Sequence, residues 1–169
     1  MKMRYQLYLA ALIFLFANCK ETSNSTEVKL GEAYMDVSCT EEAKEQFLKG
    51  LLYLHSFEYV ESRNAFLKAQ ELDPLCGMAV WGELMGYNQV LFNQEFLGLA
   101  RSAVTKFGFK GATDKRLPSQ LEKDLFRSVE ILYAPGDKST RNSSYSKYMK
   151  KLYQKYPDNH EVAAFYALF

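Results

Sequence analysis

Residues 43–74 read AKEQFLKGLLYLHSFEYVESRNAFLKAQELDP, and this stretch decides the fold. Large apolar residues recur in its first half at helical spacing, at Phe47, Leu51 and Leu54. Such a period is typical of an amphipathic helix that turns one face towards a core. We therefore predict a first helix over residues 39–55.

Local signals mark the ends of this helix and of the next one. Ser38 and Glu41 have the spacing of a capping box, which marks a helix start. A second helix is predicted from about Glu58, and it stops at Asp73-Pro74 because proline cannot continue a helix. Together the two helices predict an antiparallel hairpin.

Periodic apolar residues predict five further helices. They are expected at about 76–87, 93–107, 118–133, 144–156 and from His160 onward. Residues 109–116 and 136–144 carry glycine and polar residues and are predicted to be loops. Since no stretch alternates as a strand does, the predicted fold class is all-α. The last helix runs uncapped to Phe169, so we expect a fragment of a longer repeat protein.

The N-terminus carries an export signal. Lys2 and Arg4 precede an uncharged run of eleven residues, 7–17. This run is about half the length needed to cross roughly 30 Å of hydrocarbon. Residues 1–18 are therefore predicted to be a signal peptide rather than a spanning helix.

The run closes as Phe16-Ala17-Asn18-Cys19, which resembles the bacterial lipobox. The resemblance implies that Cys19 is lipidated and anchors the chain to a membrane. Cleavage that leaves Cys19 as an ordinary exported thiol is the alternative. Residues 19–37 are predicted to be a flexible tether because they are largely polar. Lys20 replaces the Asp typical of inner-membrane retention, which favours the outer membrane.

The predicted hairpin resembles a tetratricopeptide repeat, in which small and large apolar residues occupy fixed positions of a helical pair. With residue 43 as the first position, six of eight signature positions are matched, by Gly50, Tyr53, Ser62, Phe66, Ala69 and Pro74. Residues 39–82 also resemble a group of bacterial tetratricopeptide proteins, through Leu54-His55-Ser56-Phe57 and Trp81-Gly82 among others. The resemblance implies that residues 38–169 form a solenoid of stacked hairpins, and it implies no reaction.

The charge balance argues against a nucleic-acid partner. The chain has 21 basic and 20 acidic residues and a formal net charge of +1. Nucleic-acid binding needs a basic surface, and no such excess is present. The lysines at 147, 150, 151 and 155 are interpreted as a solvated helix face, with an acidic partner as the alternative.

Four residues are candidates for a ligand or partner surface: His55, Trp81, Tyr87 and Asn88. His55 ends the first helix, where the helix dipole favours a cation and the ring fills a corner of the hairpin. A metal or ligand contact is its alternative role. Trp81, Tyr87 and Asn88 line a pocket in one interpretation, whereas in the other Trp81 is a core residue between stacked hairpins.

The motifs that resemble catalytic or metal sites are incomplete. His160-Glu161 opens like the zinc-protease helix, but Ala164 stands where its second histidine belongs. Ser144-Tyr145-Ser146-Lys147 fits the Ser-x-x-Lys pattern of penicillin-recognising enzymes without their companion motifs. We therefore predict no catalytic residue, no metal and no cofactor.

The expected function is a lipoprotein of the cell envelope that acts as a scaffold for a protein or peptide. The alternative is the N-terminal part of a larger envelope enzyme whose catalytic region lies outside this chain. Cys39 precedes the first helix and Cys76 follows the second, so both should lie at the same end of the hairpin. Export permits oxidation, and we predict a disulfide between them, with two buried thiols as the alternative.

Overall fold

The computed structural model describes residues 31–106 and 108–169. This part contains seven α-helices: α1 Glu41–His55, α2 Tyr59–Leu72, α3 Gly77–Met85, α4 Leu97–Lys106, α5 Gln120–Leu132, α6 Lys138–Lys155 and α7 His160–Ala167. A small antiparallel ribbon joins α3 to α4, and its strands are β1 Asn88–Gln89 and β2 Gln94–Glu95. The all-α prediction is confirmed for this part of the chain, with the ribbon as an addition that the sequence did not indicate.

Several predictions concern residues that lie outside the described part. These are the signal peptide over 1–18, the lipidation of Cys19 and the tether up to residue 30. Among the helices of the described residues, none is long and apolar enough to cross a membrane.

The start of α1 differs from the prediction. Thr40 is the N-cap, and its hydroxyl accepts a hydrogen bond from the backbone N–H of Ala43. The backbone N–H of Ser38 instead donates to the carboxylate of Glu122 on α5, with 2.7 Å between the nitrogen and the oxygen. The predicted capping box of Ser38 and Glu41 is therefore wrong, because Ser38 is engaged by a residue that no local pattern connects with it.

The start of α6 is the largest difference in helix length. Residues 136–144 were predicted to be a loop, yet the helix begins at Lys138 after an Asp137 cap. Its first turns carry no apolar period because the inward residue is Arg141, which is 4% exposed. Arg141 forms an ion pair with Glu95 of β2, which is partly buried. A buried, paired arginine therefore takes the place of the apolar residue on which a helical pattern depends.

The helices pack around one apolar core. Helix α1 contacts α2 and α3, and α3 also contacts α2, α4 and α5, while α6 lies between α5 and α7. The last helix then returns to the first hairpin, since Phe165 of α7 packs against Trp81 of α3 and His55 of α1. These contacts join the two ends of the described chain.

A disulfide closes the open end of the first hairpin. The structure joins Cys39 and Cys76, with Cα atoms 4.7 Å apart, as the positions of the two residues in the hairpin led us to expect. Next to it, the backbone N–H of Thr40 donates to Asp73 at 2.9 Å. Closing a loop of this length is worth roughly 4 kcal/mol in the chain-entropy model, so the bond acts as a structural staple.

Candidate functional site

Two of the four predicted surface residues, Trp81 and His55, contact α7. Trp81 is fully buried, and its ring lies edge-on to that of Phe165 with centroids 5.1 Å apart. His55 lies 2.7 Å from a carboxylate oxygen of Glu161, and its ring also packs on Phe165. Both residues therefore face α7, which covers the side of α1 and α3 where a ligand was considered.

Tyr87 belongs to a buried polar network. Its hydroxyl donates to Glu83 at 3.0 Å, and the other oxygen of that carboxylate accepts from Gln70 at 2.9 Å. Burial raises the pKa of Tyr87 to about 12, and the neighbouring Glu83 charge adds to the effect. The phenol consequently remains a donor at neutral pH, and the network ties α2 to α3.

Asn88 lines an open cleft with a volume of about 490 Å³. The cleft lies between the ribbon, the first half of α6 and the residues that follow α7. Its polar wall contains three carboxamides and two hydroxyls, from Asn88, Asn93, Asn142, Ser143 and Ser146. Its volume falls in the range typical of small-molecule sites.

Two polar atoms in this wall are buried without a partner. Asn88 is 3% exposed, and its Nδ2 forms no hydrogen bond with any described residue. Oδ1 of Asn142 on α6 is also buried and forms no hydrogen bond with any described residue. Burying an unpaired donor or acceptor costs roughly 1–3 kcal/mol, so proteins rarely retain such groups without a use. Both atoms are closed to solvent in this structure, so an incoming molecule pairs with them only when the carboxamide groups turn towards the cleft.

The cleft is positively charged. Lys138 and Lys147 line it, and its lining contains no Asp or Glu. The ammonium group of Lys138 donates to the backbone carbonyl and the side-chain oxygen of Asn93. The nearby carboxylate of Glu95 is bound by Arg141. Neither lysine forms an ion pair with a carboxylate of the described residues, so their charges remain available.

An apolar wall completes the cleft. Val90 contributes from the ribbon, and Leu168 and Phe169 contribute from the residues that follow α7. The ring of Phe169 packs against that of Tyr145, with centroids 4.3 Å apart. Tyr145 is fully buried, and burial raises the pKa of its phenol well above the usual value. The cleft can therefore hold a molecule that has both a polar edge and an apolar face.

A second surface feature lies at the tip of the ribbon. Leu91 and Phe92 are 61% and 59% exposed, and Phe96 beside them is 41% exposed. We call these three residues the ribbon patch. The patch is held in place because the Tyr59 ring packs edge-on against Phe92, and the Tyr59 hydroxyl accepts a hydrogen bond from the Leu91 backbone N–H. A fixed cluster of exposed apolar side chains is typical of an interaction surface.

The sequence predicted little of this site. Asn93, Lys138, Asn142 and Ser143 were not singled out, and three of them lay in a predicted loop. Lys147 was interpreted as part of a solvated face. The available signal was the spacing of residues 138, 142 and 146, which share one face once α6 is known to begin at Lys138.

No protein-family model, no curated protein and no solved structure matches the chain. Among residues 31–106 and 108–169, no group of three or more His, Cys, Asp or Glu side chains is arranged to hold a metal ion. Function therefore has to be inferred from the cleft and the ribbon patch.

Proposed function

We propose that this protein is a lipid-anchored lipoprotein of the bacterial cell envelope, in the outer membrane, whose tetratricopeptide-like hairpins form a scaffold for a protein or peptide partner. The N-terminal sequence supports the anchor, since a short apolar run with a basic start leads directly to Cys19. The exposed ribbon patch supports the partner.

The packing of the first three helices supports the repeat. Gly50 of α1 and Gly82 of α3 both lie against the ring of Phe66 on α2, at the small positions that a tight helix crossing requires. Ser62 fills another small position and donates to the Gly50 carbonyl at 2.9 Å. In an open stack each repeat touches only its neighbours, whereas α7 here returns to α1. We therefore place the partner on the outer surface rather than on the face that α7 covers.

The ribbon patch is the observation that carries the partner proposal. Leu91 and Phe92 are large apolar side chains that the fold holds in solvent. Large exposed apolar patches are uncommon on monomers, and covering apolar side chains with a partner releases free energy in proportion to the buried area. A protein partner would cover the patch and explain why Tyr59 holds it in a fixed position.

The anchor and the partner are tested together in cells that express the full chain. With an alkyne fatty acid we expect labelling of the wild type and none of Cys19→Ala, which should also leave the membrane fraction. Affinity capture from crosslinked membranes should recover a stoichiometric partner with the wild type and much less with Leu91→Ser/Phe92→Ser.

The matched control for the patch is Leu75→Ser, since Leu75 is 64% exposed at a different place. This variant should capture as much partner as the wild type. A wild-type protein that takes up no alkyne fatty acid and is found in the soluble fraction would contradict the lipid anchor. Equal capture by the patch variant and the wild type would contradict the partner surface.

A further inference from the structure

We propose that the cleft between the ribbon and α6 binds a small hydroxylated molecule that carries an oxyanion, namely a sugar acid or a sugar phosphate. This site is separate from the partner surface proposed above. It would give the protein a second function, as a receptor for an anionic sugar.

The charge of the cleft selects an anion. Lys138 and Lys147 bring two positive charges to its wall, and its lining contains no Asp or Glu. A lysine ammonium has three donors, and Lys138 uses two of them on Asn93. Its third donor and those of Lys147 are available to a carboxylate or phosphate oxygen. Such charge-assisted hydrogen bonds are about twice as strong as neutral ones.

The carboxamides and hydroxyls of the wall select hydroxyl groups on the same molecule. When the carboxamides turn towards the cleft, Nδ2 of Asn88 takes an acceptor and Oδ1 of Asn142 takes a donor, and neither atom has a partner now. An ionised carboxylate only accepts, so an oxyanion alone would leave Asn142 unpaired. A hydroxyl group both donates and accepts, and Ser143 and Ser146 on the same wall can pair with further hydroxyls.

The apolar wall suits a sugar ring. The C–H face of a pyranose is apolar while its edge carries the hydroxyls, and the cleft has the same division. Val90, Leu168 and Phe169 form one side, and the carboxamides, hydroxyls and lysines form the other. A volume of about 490 Å³ accommodates one or two sugar rings.

The test is isothermal calorimetry on the full chain with three probes: glucuronate, glucose 6-phosphate and neutral glucose. We expect one of the two charged sugars to bind and glucose to bind far more weakly. The better charged probe shows whether the oxyanion is a carboxylate or a phosphate. Lys147→Gln should weaken that binding by roughly tenfold, and added salt should weaken it further.

Two further variants separate binding from folding. Lys150→Gln removes an exposed lysine from the same helix away from the cleft, and it should bind like the wild type. Asn142→Ala removes the unpaired acceptor at a partly buried position, and it should weaken binding of the charged sugar without lowering the melting temperature. Amide chemical shifts should move at Asn88 and Asn142 on titration with the bound probe.

Binding of neither charged sugar, or equal binding of glucose, would overturn the proposal. Equal losses of affinity in Lys147→Gln and Lys150→Gln would also overturn it. None of these variants alters Leu91, Phe92 or Phe96. Partner capture can therefore be measured on the same proteins, and a failed sugar titration would not contradict the partner proposal.

Discussion

Gly82 of α3 lies so close to the ring of Phe66 on α2 that a Cβ at position 82 would stand 2.3 Å from Cε1 of the ring. The same ring would lie 2.9 Å from a Cβ at Gly50 of α1. Phe66 is fully buried and also packs edge-on against Phe47. One phenylalanine thus fills the space between three helices, and the two glycines let their backbones approach it.

Gly82→Ala should destabilise the protein, although alanine is the better helix former by about 1 kcal/mol. The methyl group must displace a fully buried ring, and overpacking of this kind costs roughly 1–3 kcal/mol or more. Gly50→Ala should lower the free energy of unfolding by less, because a Cβ at position 50 would stand farther from the Phe66 ring. Urea denaturation measures both, with Gly98→Ala as the control, since a Cβ at Gly98 meets nothing within 4 Å. A Gly82→Ala protein as stable as the control would refute this packing.

Removing the Cys39–Cys76 bond should lower the free energy of unfolding by about 2–4 kcal/mol. The expected cause is the larger freedom of the unfolded chain, with a smaller share from loosening the end of the hairpin beside Thr40 and Asp73. Thermal melts of Cys39→Ser/Cys76→Ser measure the loss. Peptide mapping without reductant, on protein taken from the envelope, should find the two cysteines joined, and free thiols at both positions would contradict the bond.

Asp114 should make stability depend on pH in the acid range. The hydrogen bonds from Arg116 hold the pKa of this buried carboxyl well below its usual range, against the opposing effect of burial. A lowered folded pKa stabilises the protein above the unfolded pKa of about 3.9, and this contribution is lost as pH falls through the folded value. Asp114→Asn should therefore lower the free energy of unfolding by roughly 2–4 kcal/mol at pH 7, and the difference from wild type should shrink below about pH 4.

Melts of Asp114→Asn and wild type between pH 7 and pH 2.5 provide the measurement. Asp158→Asn is the control because Asp158 is an exposed aspartate in a turn. Its stability should follow that of the wild type across the range. A deficit for Asp114→Asn that stays constant down to pH 2.5 would show that the loss comes from packing rather than from the charge.

The hairpin was predictable from the sequence because its signals are local. The apolar period from Phe47 to Leu54 and the stop at Pro74 need no knowledge of distant residues. The start of α6 was not predictable in this way, because Arg141 replaces an apolar residue and is neutralised by Glu95, 46 positions earlier. The role of Ser38 was not predictable for the same reason, since its partner Glu122 lies 84 positions away.

Of the residues that line the candidate site, only Asn88 was predicted from the sequence to contact a ligand. His55 and Trp81 have the residue types of a binding surface, but their environment depends on α7, which reaches them from the far end of the described chain. The cleft joins residues 88–93 to residues 138–147 and 168–169. A site assembled from three distant segments appears only once the helices are packed, since no period within one segment records it.

Binding of an envelope partner through the ribbon patch, as proposed above, is measured most directly by photo-crosslinking in living cells. A benzoylphenylalanine residue is placed at position 92 of the full chain and, as the control, at position 75. Both positions are exposed and apolar, so both react with whatever lies within reach. We expect a discrete adduct of defined mass from position 92 and none from position 75. A protein that yields no adduct from position 92, or the same adducts from both positions, would contradict it.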